Sequence, residues 1–358
     1  ASYIKDLDGL LEVWATLFGN VSSIELAVRS YLIVLFKQGS SASAANLCNL
    51  FWENAADHSS TGEILEVVNF PLYPLQSFKL LQSLSGMGSQ EIPNEDGDLS
   101  EAKQAANYSF QWLAQIRYLT LVLPEAEDVD DNFRRVQEDN GSYARFNVKD
   151  IELPGGLTIP SGSRGVELNR VNDKPVIIKW ATHINGWNIV LSLLREAAGL
   201  NPPSRYKWED FGISVPADQV LSSGISLISR LIAANDELGR DLLDLKGNSK
   251  SDILDIVFSV IRNRQIASSQ EPIHVSLMSS ALNMITCFVK TRSGRLWIEI
   301  QQAGMFSTTS QGNKTTVAQQ IIEKEAKAGD YPSTLCVLRL VLALTENTVD
   351  EQFERDYR

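Results

Sequence analysis

Residues 162–191 read GSRGVELNRVNDKPVIIKWATHINGWNIVL. In the first part Val166 and Leu168 alternate with Glu167 and Asn169, and further on Val176, Ile178 and Trp180 fall on one side. That is the period-two signature of strands with one buried face. Asn172 and Asp173 lie between the two runs as turn formers, and Asn185-Gly186 has the chemistry of a type I′ hairpin turn. The spacing predicts a three-stranded antiparallel meander at 164–171, 175–184 and 187–193. Upstream, SYARFNV (142–148) supplies a fourth strand. Pro154, Gly155, Gly156, Pro160 and Gly162 punctuate a loop holding one short strand. Such a set of short strands suits a small SH3-like barrel.

Outside this stretch the pattern is helical. Leu7, Leu10, Leu11, Trp14 and Leu17 recur at three- and four-residue steps, and Ile24, Val28, Tyr31, Leu32, Leu35 and Phe36 form a second stripe. A third helix follows at SASAANLCNLFWENAAD and another opens after Thr61. Pro71 and Pro74 introduce a helix carrying Leu75, Phe78, Leu81 and Leu84. After the loop GMGSQEIPNEDGDLS, a long helix runs from Ser100 to about Leu123. Beyond the β segment, helices are predicted at 217–234, 236–245, 251–268, 273–290, 315–328 and 333–346. In the last, Leu335, Val337, Leu338, Leu340, Val341 and Leu342 cover nearly every side, which predicts burial between neighbours.

Successive helices on short Gly/Ser/Asn loops describe a mainly α fold: an α-solenoid of the HEAT or armadillo kind with a small inserted SH3-like β-barrel. A compact helical bundle is the alternative. The expected domains are 1–138 and 201–358 as solenoid, with 139–200 as the β insertion.

A net charge of -12 and the lack of local basic clusters argue against a nucleic-acid surface. No apolar run approaches the ~20 residues of a membrane-spanning helix. Cys48, Cys287 and Cys336 each sit in apolar helical context, so they read as buried small residues in a reducing compartment. Sequons at Asn20, Asn107, Asn140 and Asn313 read as chance matches without a signal peptide. The chain starts near a helical pattern and ends without a closing element, so a fragment of something longer is expected.

The residues offer little chemistry. His58, His183 and His274 have no partner at metal-ligand spacing, and no cofactor motif is present. The acidic run EAEDVDD lacks the EF-hand spacing and reads as a solvated connector. Asp210-Phe211-Gly212 has none of the other kinase motifs beside it. GNKTT (312–316) lacks the P-loop spacing and reads as a helix start capped by Thr315 or Thr316. An enzyme is therefore disfavoured. Trp180 and Trp187 read first as core or packing residues; with His183 they form the alternative, an interaction surface of the module.

The stretch LPGGLTIPSGSRGVEL (153–168), with VIIKW (176–180) and NGWNIVLSLL (185–194), resembles the SH3-like insertion of the nucleoporin 188 family. These are large inner-ring scaffold proteins of the nuclear pore complex, and the surrounding helices are compatible with their N-terminal solenoid. The resemblance implies a structural, non-catalytic scaffold at the nuclear envelope that supports nucleocytoplasmic transport. Its implied partners are other nucleoporins, held through linear segments of linker nucleoporins, with FG repeats or transport factors as further candidates. It implies no cofactor and no direct nucleic-acid contact. No ALYDY-like strand is present, so binding of proline-rich peptides is not implied. The competing reading is a soluble karyopherin-like receptor or HEAT-repeat adaptor that binds FG or basic peptides.

Overall fold

The computed structural model describes residues 70–85, 98–125, 130–137, 143–168, 175–201, 204–245, 251–264, 272–306 and 315–356. The expected helices before residue 70, the loop at 86–97, most of the acidic connector and the Asn172-Asp173 turn lie outside them. The chain divides into two compact units: Ala1–Pro216 with Gly247–Ser249, and Ala217–Lys246 with Lys250–Arg358.

In the first unit α1 spans Pro74–Leu84 and α2 spans Asp98–Gln115. Proline at the first turn of α1 costs no hydrogen bond, and Phe78, Leu81 and Leu84 are buried as their spacing predicts. Among the described residues seven strands follow: β1 (Tyr118–Val122), β2 (Phe133–Gln137), β3 (Tyr143–Asn147), β4 (Ile151–Leu153), β5 (Leu157–Ile159), β6 (Arg164–Glu167) and β7 (Ile177–Ala181). Five of them form an antiparallel sheet in the order β1-β7-β6-β3-β2, while β4 and β5 pair separately. The β6–β7 and β3–β6 pairings match the expected strands, with Gly165 opposite Trp180.

Three expectations are corrected here. The helix expected to reach Leu123 stops at Gln115, and Tyr118–Val122 is a strand paired with β7. Ile116 and Leu119 continue the helical spacing, yet the aromatic and branched run YLTLV is held extended by cross-strand partners far along the chain, such as Trp180 opposite Leu119. Second, Asn185-Gly186 is not a hairpin turn. Asn185 is extended (φ -81°, ψ 162°) and caps α3 (Gly186–Ala197), its side chain accepting the Asn188 amide. The third expected strand of the meander is therefore the start of a helix. Third, the punctuated loop holds two short strands, β4 and β5, around a tight turn at Pro154–Gly156.

The second unit contains α4 (Ala217–Ala234), α5 (Leu238–Asp244), α6 (Ile253–Arg264), α7 (Pro272–Gln302), α8 (Val317–Ala328) and α9 (Pro332–Asp356). Thr316 caps α8 by accepting the Gln319 amide. Two helices outrun their expected ends, and α7 is broken at Arg292 (φ -149°, ψ 48°). Helix α7 packs against both α4 and α9. Ser222 meets Ser276 and Ser226 meets Ser280, so α4 and α7 run in the same direction. Ser279 meets Ser333 on the next side. Helix α9 is not buried all round: Cys336, Val337, Leu340 and Leu344 are inside, but Leu335, Leu338 and Leu342 are 54–57% exposed. Among the described residues no element covers that side.

Candidate functional site

The junction between the sheet and its flanking helices is built on α3. Gly186 opens this helix because a Cβ there would come within 2.8 Å of the Leu113 carbonyl oxygen of α2. The next residue, Trp187, is fully buried; its indole N–H donates to the Phe110 carbonyl at 3.1 Å and its ring lies 5.2 Å from Phe110. Trp180 is 1% exposed, lying over Gly165 and 6.0 Å from the Phe133 ring. Both indoles are interior, and a Trp buried with its N–H satisfied contributes about 4–6 kcal/mol of apolar transfer as an upper bound. Only His183 of that trio is exposed.

Ser192 of α3 ties down the Pro154–Gly156 turn. Its hydroxyl donates to the Pro154 carbonyl at 2.8 Å and accepts the Trp208 indole N–H at 3.1 Å. Gly155 adopts φ +77°, and a Cβ there would overlap the Ser192 hydroxyl. Glu196, one turn further along, accepts the Trp208 amide at 3.1 Å. Burial pushes the Glu196 carboxyl above the usual range, although that hydrogen bond and one with Asn201 oppose the shift. Sequence reasoning missed Ser192, Glu196 and Trp208, since their roles come from partners 12 to 38 residues away.

On the sheet, Glu167 receives Arg145 at 2.5 Å and Arg135 at 2.8 Å, and the Arg135 guanidinium lies 4.0 Å over the Tyr143 ring. Beyond them β2 is, among the described residues, the terminal strand of its sheet, with Arg134, Arg135, Val136 and Gln137 exposed.

In the second unit a cavity of about 1010 Å³ opens between α4, α7 and α9. Ile232, Cys287 and Val289 form its apolar lining, and Asp236, Lys290 and Glu346 its charged groups. Burial pushes the Cys287 thiol up to about 11 and raises Cys336 as well, so neither is a thiolate nucleophile at neutral pH. Among the described residues no group of three or more His, Cys, Asp or Glu is placed to hold a metal ion. None of their helices is long and apolar enough to cross a membrane. The described residues thus present a cleft between like-directed helices and a strand edge.

The family described as Nucleoporin Nup188, N-terminal subdomain III, matches residues 177–358. The chain belongs to the nucleoporin Nup188 family. The match takes in β7, α3 and every helix of the second unit; the LPGGL turn that carries much of the resemblance lies ahead of it. Comparison with curated proteins gave no match. Membership in the Nup188 family makes this a nucleoporin, a structural protein of the nuclear pore with other nucleoporins as its partners.

Proposed function

We propose that this chain is a section of an inner-ring scaffold of the nuclear pore complex, an α-solenoid carrying an SH3-like insertion, and that it holds linear segments of linker nucleoporins in support of nucleocytoplasmic transport. The family match over 177–358 is the observation that carries the reading. The solenoid form is supported by the side-by-side helices α4, α7 and α9. The serine pairs that join them, 222 with 276, 226 with 280 and 279 with 333, are each separated by 54 residues. A constant offset between like-directed neighbours is what stacked repeats produce. The expected division makes 1–138 and 201–358 solenoid and 139–200 the insertion; because β1 and β2 belong to the same sheet, this reading starts the insertion at Tyr118 instead.

The test is crosslinking mass spectrometry of the native pore assembly. Crosslinks from the 217–356 helices to linear segments of other nucleoporins are the expected result. A chain that crosslinks only to soluble transport factors, and that binds FG peptides when isolated, would instead be a transport receptor.

A further inference from the structure

The β1 and β2 ends of the sheet are finished differently. At the β1 end the outward Thr120 amide donates to the Phe70 carbonyl at 2.8 Å, so that edge is covered. At the β2 end the pairing fixes which backbone groups remain. The Val148 amide donates to the Asn132 carbonyl, which makes 132 and 148 a hydrogen-bonded pair. Hydrogen-bonded pairs alternate along an antiparallel ladder, so Arg134 with Phe146 and Val136 with Ala144 are the next two. The amides and carbonyls of Phe133, Arg135 and Gln137 therefore point away from β3. Among the described residues no strand pairs with them.

The side chains beside this edge have a sign. The register sets Arg134 and Arg164 on either side of Phe146 on one face, and Arg135 beside Arg145 on the other. Glu167 is the acid that answers the second pair. Arg134 is exposed and makes no ion pair among the described residues. Val136, 38% exposed, shares its face. A second copy of this strand would bring arginine against arginine, which cross-strand pairing disfavours. In the bland alternative the arginines only guard the edge against pairing.

We propose that the outer edge of β2 is a β-augmentation site that takes an extended acidic segment of a partner as a sixth strand. Phe133, Arg135 and Gln137 supply the main-chain hydrogen bonds. Arg134 receives a carboxylate, and Val136 receives the aliphatic side chain two residues along the added strand. The site goes beyond the scaffold reading, because it needs neither the solenoid nor a place in the pore.

The test uses the full chain and a capped peptide, Thr-Glu-Thr-Val-Thr-Glu-Thr-Val, whose glutamates and valines share one face of the strand, with the same peptide carrying lysine in place of glutamate as control. Binding is read by fluorescence anisotropy and by amide hydrogen exchange. The expected result is binding of the glutamate peptide alone, with slowed exchange at Phe133, Arg135 and Gln137. Gln137→Pro removes an outward amide without touching the β2–β3 ladder and should weaken binding about tenfold or more. Arg134→Glu should weaken it about tenfold, while Arg134→Lys retains most of it. Arg134→Glu changes only an exposed side chain, so it serves even where Gln137→Pro unfolds. Three outcomes overturn the proposal: no binding of the glutamate peptide, binding indifferent to both substitutions, or self-association that Gln137→Pro abolishes, which would assign the edge to a second copy.

Discussion

The Ser192 hydroxyl accepts the indole N–H of Trp208 at 3.1 Å, and its own O–H donates to the Pro154 carbonyl at 2.8 Å. One buried hydroxyl thus joins α3, the Pro154–Gly156 turn and the 208–211 segment. Ser192→Ala strands a buried donor and a carbonyl together, a loss of about 1–3 kcal/mol. Gly155→Ala combines positive φ with overlap onto the same hydroxyl and should cost more. Thermal unfolding should register the first as a Tm drop of roughly 2–4 °C per kcal/mol. A Gly155→Ala, Ser192→Gly double substitution should recover part of the single Gly155→Ala loss.

Asn185 gives a second test. Its side chain is the cap of α3, so Asn185→Ala should lower stability by about 1 kcal/mol, with Asn185→Asp or Asn185→Ser close to neutral. A hairpin-turn role would rank the variants differently, because aspartate would then be tolerated and serine would not. Denaturant midpoints at constant slope decide between the two orders.

Glu325 is the carboxylate whose ionisation matters most to the second unit. It accepts the Ser333 amide at 2.8 Å and the Thr334 amide at 2.7 Å, closing the N-terminal turn of α9. Burial raises its pKa, but the hydrogen bonds from Thr334 and Ser333 outweigh that and hold it below the usual range. A folded value below the unfolded one means stability that is present above the ordinary glutamate pKa and lost as pH falls through the folded value. Glu325→Gln should therefore cost about 1.5–3 kcal/mol at pH 7 and far less at a pH low enough to protonate the folded-state carboxyl. Equal differences at both pH values would sink this account.

Arg295 pairs with Asp252 and reaches Asp255 at 3.0 Å, while Asp252 accepts the Leu254 and Asp255 amides at the start of α6. The guanidinium side chain is 37% exposed, so solvent screening keeps the effect of Arg295→Ala near about 1 kcal/mol. Most of that difference should vanish in 1 M salt, as urea titrations at two ionic strengths would read.

Cys287, with its thiol at about 11, should be nearly inert to iodoacetamide at pH 7.5 in the folded protein. Peptide-resolved mass spectrometry should show its labelling rise steeply only above about pH 10 or on unfolding.

The helix at 217–234 was legible from periodicity because it buries one stripe of a long amphipathic pattern, and the one at 317–328 from its threonine cap. Strand β1 was not, since five residues with helix-compatible spacing carry no mark of a partner at 177–181. NGWNIVLSLL failed differently: Asn followed by Gly serves a turn and a helix cap equally well, and the sheet simply ends before it. Burial of Trp180 and Trp187 followed from their reading as core residues. Ser192 was invisible, because a serine inside a helix shows its value only through the groups that converge on it. The exposed stripe at Leu335, Leu338 and Leu342 was misread because apolar content reports the need for cover and not its presence.

Val122 and Ile177 lie opposite one another across β1 and β7. The chain thus leaves the two helices α2 and α3 and comes back to them at neighbouring points. In topological terms residues 123–176 are a closed excursion with almost no net displacement, anchored to α3 at the Pro154–Gly156 turn. Changes of length that spare the Pro154–Gly156 turn and the residues packed on Trp180 leave the Trp187–Phe110 clasp in place, so the module can be reworked at its loops without rebuilding the helices that carry it.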